Sequence, residues 1–263
     1  MTDVNSDPDA YAVPTQPTIR KISIADIKDA LAKGWDDFTA MPTFAIFLVV
    51  IYPIVGLVLF SAASGYDMLP LVFPLLSGFA LIGPLAAVGL YELSRRRELG
   101  QETSVSALSF LRTPALGSII VLGIVLLAIF MAWLIAAQTI YTIIFGTEQP
   151  SSVPQFIQQV LNSPSGWTLI IVGCGVGFLF ALLAFSVSVI SFPMVLDRPV
   201  GAFTAIVTSI RVVLANPVTM AIWGLIVAGT LLIGSLPLLV GLIVVLPVLG
   251  HSTWHLYRKV LKH

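Results

Sequence analysis

No charged side chain occurs from Thr113 to Gly146, from Gln149 to Leu196, or between Asp67 and Glu92. Runs of that length cannot cover a surface facing water. In lipid they satisfy their own backbone as helices, and roughly 20 apolar residues reach across the hydrocarbon core. The remaining composition agrees, with 57% hydrophobic and 10% charged residues, against about 25% charged in an ordinary soluble domain. Cys174 is the single cysteine and lies inside an apolar run, so it offers neither an intrachain disulfide nor a CxxC pair.

The pattern predicts an all-α, polytopic transmembrane bundle of about six spans. They fall near 44–63, 69–91, 116–145, 167–194, 218–234 and 237–257. Residues 1–20, dominated by Asp, Pro, Ser and Thr, read as a disordered tail, and 21–263 as one integral membrane domain. A helix break is expected at Gly234-Ser235-Leu236-Pro237, because proline removes a backbone donor and clashes with the preceding turn. All thirteen Lys and Arg residues can then be placed on one side. Positive charge near spans is retained in the cytoplasm. The expected location is a bacterial inner membrane, with both termini cytoplasmic.

Each pair of spans is preceded by a short amphipathic stretch ending at proline. In the first, Ile24, Ile27, Leu31, Trp35 and Phe38 oppose Asp26, Asp29, Lys33 and Asp37 before Met41-Pro42. In the third, Phe203, Ile206, Val207, Ile210, Val213 and Leu214 precede Asn216-Pro217. The middle stretch has Val105, Leu108 and Leu111 before Thr113-Pro114. Such spacing sets an apolar stripe against lipid or bundle and a polar face in water. The implied unit is a cytoplasmic helix, a proline and a helical hairpin, repeated about the membrane normal.

Few residues carry chemistry. His251 and His255 stand four apart on one helical face and form a candidate metal pair, which needs further ligands from other helices. Placement in an aromatic belt with Trp254 and Tyr257, hydrogen-bonded to loops, is the simpler account of them. Gly173, Gly177 and Ala181 in the fourth span, and Ala128, Ala132 and Ala136 in the third, are candidate helix-packing stripes. Arg95, Arg96 and Arg97 fix topology and can attract anionic lipid headgroups. Pro53, Pro74, Pro84 and Pro247 can kink spans and free carbonyls. No catalytic constellation, P-loop, GxSxG or HExxH is present. No cofactor is implied, and a net charge of zero without a recognition motif argues against nucleic acid.

The run Ala30 to Phe38 before Pro42, the stretch Phe192-Pro193-Met194 to Asp197-Arg198, Ser209 to Asn216-Pro217, and Gly250-His251 to Arg258 together resemble a bacterial family. It is the predicted integral membrane proteins of domain of unknown function 2189, and the likeness runs over residues 20–262. It implies a membrane location and no reaction or catalytic residue. The expected function is a non-enzymatic scaffold or assembly factor that meets lipid and a membrane-protein partner through its cytoplasmic helices. The alternatives are a small-solute transporter or channel, using Gln138, Ser186, Ser188 and Ser191, and metal or haem handling at the histidine pair.

Overall fold

The computed structural model describes residues 17–42, 46, 54, 61, 69–79, 81, 83–103, 114–147, 150, 152–237 and 239–262. Helix α1 spans Ile24–Ala40 and opens with a capping box, in which Ser23 Oγ accepts from Asp26 N at 3.4 Å and Asp26 Oδ2 accepts from Ser23 N at 2.8 Å. It stops at Met41, one residue before Pro42.

The face that α1 buries is rotated from the expected stripe. Ile27, Ala30, Gly34, Asp37 and Phe38 point inward, whereas Ile24 and Trp35 are 52% and 54% exposed. The cause is close approach. A Cβ on Gly34 would fall 2.0 Å from Ser252 Oγ and 2.6 Å from its backbone N, so the smallest residues of α1 form the contact. Asp37, expected in water, is drawn in with them.

The second expected span is segmented. A 3₁₀ turn at Leu69–Leu71 leads into α2 (Val72–Phe79), α3 (Gly83–Ala86) and α4 (Val88–Glu98). Pro70, Pro74 and Pro84 lie in the segments before α4, where a missing donor favours interruption. The carbonyl of Pro74 accepts from Trp133 Nε1 at 3.0 Å, so an indole takes it rather than a polar cavity. Helix α4 continues to Glu98, seven residues beyond the expected end of the span, and brings the arginine triplet with it.

Helix α5 spans Leu116–Phe145, α6 Val153–Asn162, α7 Pro164–Ser188 and α8 Ser191–Asp197. Helix α9 spans Ala202–Ala215, α10 Pro217–Ser235 and α11 Leu242–Val260. Among the described residues, three helical stretches are long and apolar enough to cross a membrane: Leu116–Phe145, Pro164–Asp197 and Pro217–Ser235. The expected first span, 44–63, and the middle amphipathic stretch lie almost wholly outside the described residues. Helix α11 differs from the expected sixth span, since its second half carries His251, Ser252, Thr253, His255, Arg258 and Lys259.

Helix α6 occupies what reads as an outer loop. Ser152 caps it through Gln155 N at 3.4 Å, and Ser163 Oγ accepts from Gly166 N at 2.9 Å to start α7. The corner between them is tight. A Cβ on Gly166 would meet Val160 O at 2.0 Å.

The packed core lies at one end. Across the three spanning windows only 22%, 11% and 17% of residues are buried, a surface suited to lipid rather than water. By contrast Val88–Ser94 of α4 and Ser191–Val195 of α8 are buried throughout, together with most of α11 from Pro247 to Tyr257. Residues 18–20 and 260–262 pair there: Ile19 and Leu261 form an antiparallel bridge, Arg20 N donates to Val260 O at 2.8 Å, and Lys262 N donates to Thr18 O at 3.1 Å. Asn216 clamps the same segment, accepting from Ile22 N at 2.9 Å and donating from Nδ2 to Arg20 O at 3.1 Å.

Five buried positions of the first and third units coincide. Aligned on Pro42 and Pro217, buried Ile27, Ala30, Gly34, Asp37 and Met41 of the first unit fall on buried Ala202, Ala205, Ser209, Val212 and Asn216 of the third. Their partners also correspond. Helix α1 packs on α11, which ends the third unit, and α9 packs on α7 and α8, which end the second. Gly34 sits against Ser252, and Ser209 Oγ accepts from Ile190 N at 3.2 Å. Where the first unit has Asp37, the third has Val212.

Candidate functional site

That exchange isolates a polar cluster which the helical framework does not need for packing. Helix α1 supplies Asp36 and Asp37, α4 supplies Ser94 and Arg97, and α11 supplies His251 and His255. Asp37 is 3% exposed. Its Oδ2 accepts from Ser94 Oγ at 2.6 Å and pairs with His255 Nε2 at 2.8 Å, while its Oδ1 faces Arg97 Nη1 at 2.5 Å. Arg97 also reaches Asp36 Oδ2 at 2.9 Å. Burial alone would raise the Asp37 pKa, but the hydrogen bonds from His255, Ser94 and Arg97 outweigh it and hold it at about 2.

Ser94 Oγ lies 2.7 Å from His251 Nδ1. With the hydroxyl proton given to Asp37, Ser94 accepts from His251 Nδ1–H. Ser252 Oγ is buried without a protein partner among the described residues. The order of groups differs from a hydrolytic triad, where the carboxylate holds the far imidazole nitrogen. Here the carboxylate holds the serine itself, and Ser94 is 0% exposed.

The cluster continues into a brace. Glu92 is 1% exposed and meets Arg95 Nε at 2.8 Å and Arg96 Nε at 2.7 Å. Burial pushes its carboxyl upward, yet the two guanidinium groups bring it below the ordinary carboxylate range. Glu98 accepts from Trp254 Nε1 at 3.0 Å and from Arg258 Nε at 3.0 Å. Asp197 on α8 accepts from Tyr257 Oη at 2.6 Å and from Arg258 Nη1 at 3.3 Å. Lys259 meets Asp29 at 2.9 Å and Asp26 at 3.4 Å, returning to α1. Four helices distant in sequence are thus cross-linked at one end.

The candidate residues read from sequence are distributed as follows. His251 and His255 do share a carboxylate, but Asp37 Oδ2 is 4.0 Å from His251 Nδ1, and its remaining capacity is taken by Ser94 and Arg97. Among the described residues no group of three His, Cys, Asp or Glu is arranged to hold a metal. Arg95 and Arg96 pair with Glu92, and Arg97 pairs with Asp36 and Asp37, while all three guanidinium groups stay partly exposed.

Of the small residues, Gly177 meets the Trp133 ring, with a would-be Cβ 3.0 Å from it. Gly173, Ala181 and Cys174 line an apolar cleft of about 220 Å³ beside Phe73 and Trp133. Ala128 and Ala132 face outward and Ala136 is half-buried, because α5 turns Leu126, Phe130, Trp133 and Ala137 inward. Ser188 and Ser191 are buried, and Ser191 Oγ donates back to Val187 O at 2.7 Å where α7 gives way to α8. Neither that cleft nor the apolar one of about 170 Å³ beside Trp35 includes Gln138, Ser186, Ser188 or Ser191. Asp37, Ser94, Glu92 and Asn216 are not among the candidate site residues that the sequence offers. The departure from the repeat at Asp37 is the signal that could have found the first of them.

The long apolar helices suit a membrane-embedded chain, and the family comparison agrees. Residues 72–197 match domain of unknown function 2189, a family of predicted integral membrane proteins. The chain is an integral membrane protein. The matched segment of domain of unknown function 2189 runs from α2 through α8 and contains Glu92, Ser94 and the arginine triplet. It is narrower than the resemblance over 20–262, leaving Asp37, the histidines and Asn216 outside. No curated protein and no solved structure matches the chain.

Proposed function

We propose that this protein is a non-enzymatic membrane scaffold or assembly factor, with its braced end on the cytoplasmic side of a bacterial inner membrane. The observation that carries the reading is the brace itself. The carboxylates of α1, α4 and α8 are engaged by basic, serine, tyrosine or tryptophan side chains of the same chain, which suits a rigid platform more than a reaction centre. The docking element is α1, held on its inner face by Asp37 and Gly34 and leaving Ile24 and Trp35 half exposed on the other. Trp35 borders the apolar cleft formed with Thr230, Val244 and Val248, a surface suited to an apolar side chain of a partner helix.

The test places a photo-reactive phenylalanine at Trp35 or Ile24 in the full chain within native membranes. A discrete adduct with one membrane protein, absent when the probe replaces buried Ile27, is expected. Adducts with lipid alone would refute the scaffold reading. Solute flux through the purified protein in liposomes, lost on substituting Gln138 and Ser191, would favour transport instead.

A further inference from the structure

Arg95, Arg96, Arg97, Arg258 and Lys259 are spent on carboxylates of the brace. Arg20, Lys21 and Lys262 are exposed and make no ion pair among the described residues. The fold sets Arg20 and Lys262 on one face of this edge, with Lys21 at the adjoining position beside the end of α9. Antiparallel pairing at Ile19 and Leu261 puts Arg20 and Lys262 on the same face. Such a diagonal pair stands about 7–8 Å apart, a gap one phosphate group can bridge. Lys21 Nζ donates to Ala215 O at the end of α9, and Asn216 Nδ2 holds the Arg20 carbonyl.

The position of this edge selects its occupant. Asn216 immediately precedes α10, one of the helices long and apolar enough to cross the bilayer. Around that root Leu214, Val218 and Phe203 are 73%, 71% and 79% exposed, an apolar skirt that suits acyl chains. Cations at the foot of a spanning helix stand at headgroup depth. We propose that Arg20 and Lys262, with Lys21 beside them, form a seat for the phosphate-bearing headgroup of an anionic phospholipid, which fastens this paired edge to the membrane surface.

The test reconstitutes the full chain in phosphatidylcholine vesicles with spin-labelled phosphatidylglycerol or spin-labelled phosphatidylcholine and compares their retention beside the protein. The wild type is expected to prefer phosphatidylglycerol. Each cation near the surface contributes about fivefold, so R20Q/K21Q/K262Q should lower that preference at least tenfold, while Lys28→Gln elsewhere on α1 changes it less than twofold. Lys262→Glu, a single exposed change near the chain end, should lower it fivefold or more without touching the backbone bonds. Unchanged preference in the triple variant and in Lys262→Glu would overturn the seat. Displacement of the labelled lipid by millimolar inorganic phosphate would also overturn it, by revealing a site for a free anion.

Discussion

At the residue scale, Asp37 is the most informative side chain. Val212 occupies the corresponding place in the third unit and is 0% exposed, so the position packs well without charge. A buried carboxylate there is sustained by its partners. Asp37→Asn keeps the shape but leaves Arg97 without its closest carboxylate. We expect a loss of about 2–3 kcal/mol, less than for a fully buried pair because Arg97 is partly solvated. Thermal unfolding in detergent measures it, and an unchanged midpoint would show that the cluster does not brace α1. The pH dependence has a definite sign. Asp37 has a folded-state pKa of about 2, below the ordinary 3.8. Its contribution is therefore complete above about pH 4 and is lost as pH falls toward 2. Asp37→Asn should accordingly remove the Asp37 share of this acid sensitivity and leave the smaller share of Asp26 and Asp29, whose carboxyls hydrogen bonds also hold below the ordinary range.

At the element scale, close approach governs the geometry. Gly34→Ala drives a Cβ into Ser252, whose backbone N as well as its Oγ stands in the way. The expected cost is about 1–3 kcal/mol, with faster hydrogen exchange in α1 and little change in α5. Removing the Ser252 hydroxyl should not rescue it. The repeat supplies a converse test. Val212→Asp places a carboxylate in the equivalent contact without the His255, Ser94 and Arg97 that serve Asp37, so α9 should be destabilised by at least about 3 kcal/mol.

Much of this level is legible in sequence. Helix α5 begins and ends where its uncharged run predicts, α1 and α9 stop at their prolines, and α10 and α11 part around Pro237. The rest depends on partners. The rotation of α1 follows from Gly34 meeting Ser252, and the pairing of Asp37 with His255 joins residues 218 apart. No local spacing encodes either contact. Helix α6 was concealed differently, because its Ser152 cap and Pro154 were legible but ten residues between two spans read more readily as loop.

At the scale of the whole molecule, stability is unevenly distributed. The spanning helices present apolar surface outward, and packed polar and apolar cores coincide at the end where α1, α4, α8 and α11 meet. Segments of that end should open together, at higher free energy than the α6 corner. Gly166→Ala, which collides with Val160 O, should therefore loosen α6 and leave exchange in α4 and α11 unchanged. Closure of the chain on itself at this end is probed most directly by a disulfide between Ile19→Cys and Leu261→Cys in a Cys174→Ser background. Residues opposed across an antiparallel bridge have Cβ atoms about 4.5–5.5 Å apart, close enough for mild oxidation to join them with small adjustment. Near-complete crosslinking in native membranes is predicted, whereas two free thiols that label readily and never join would contradict the fold at its core.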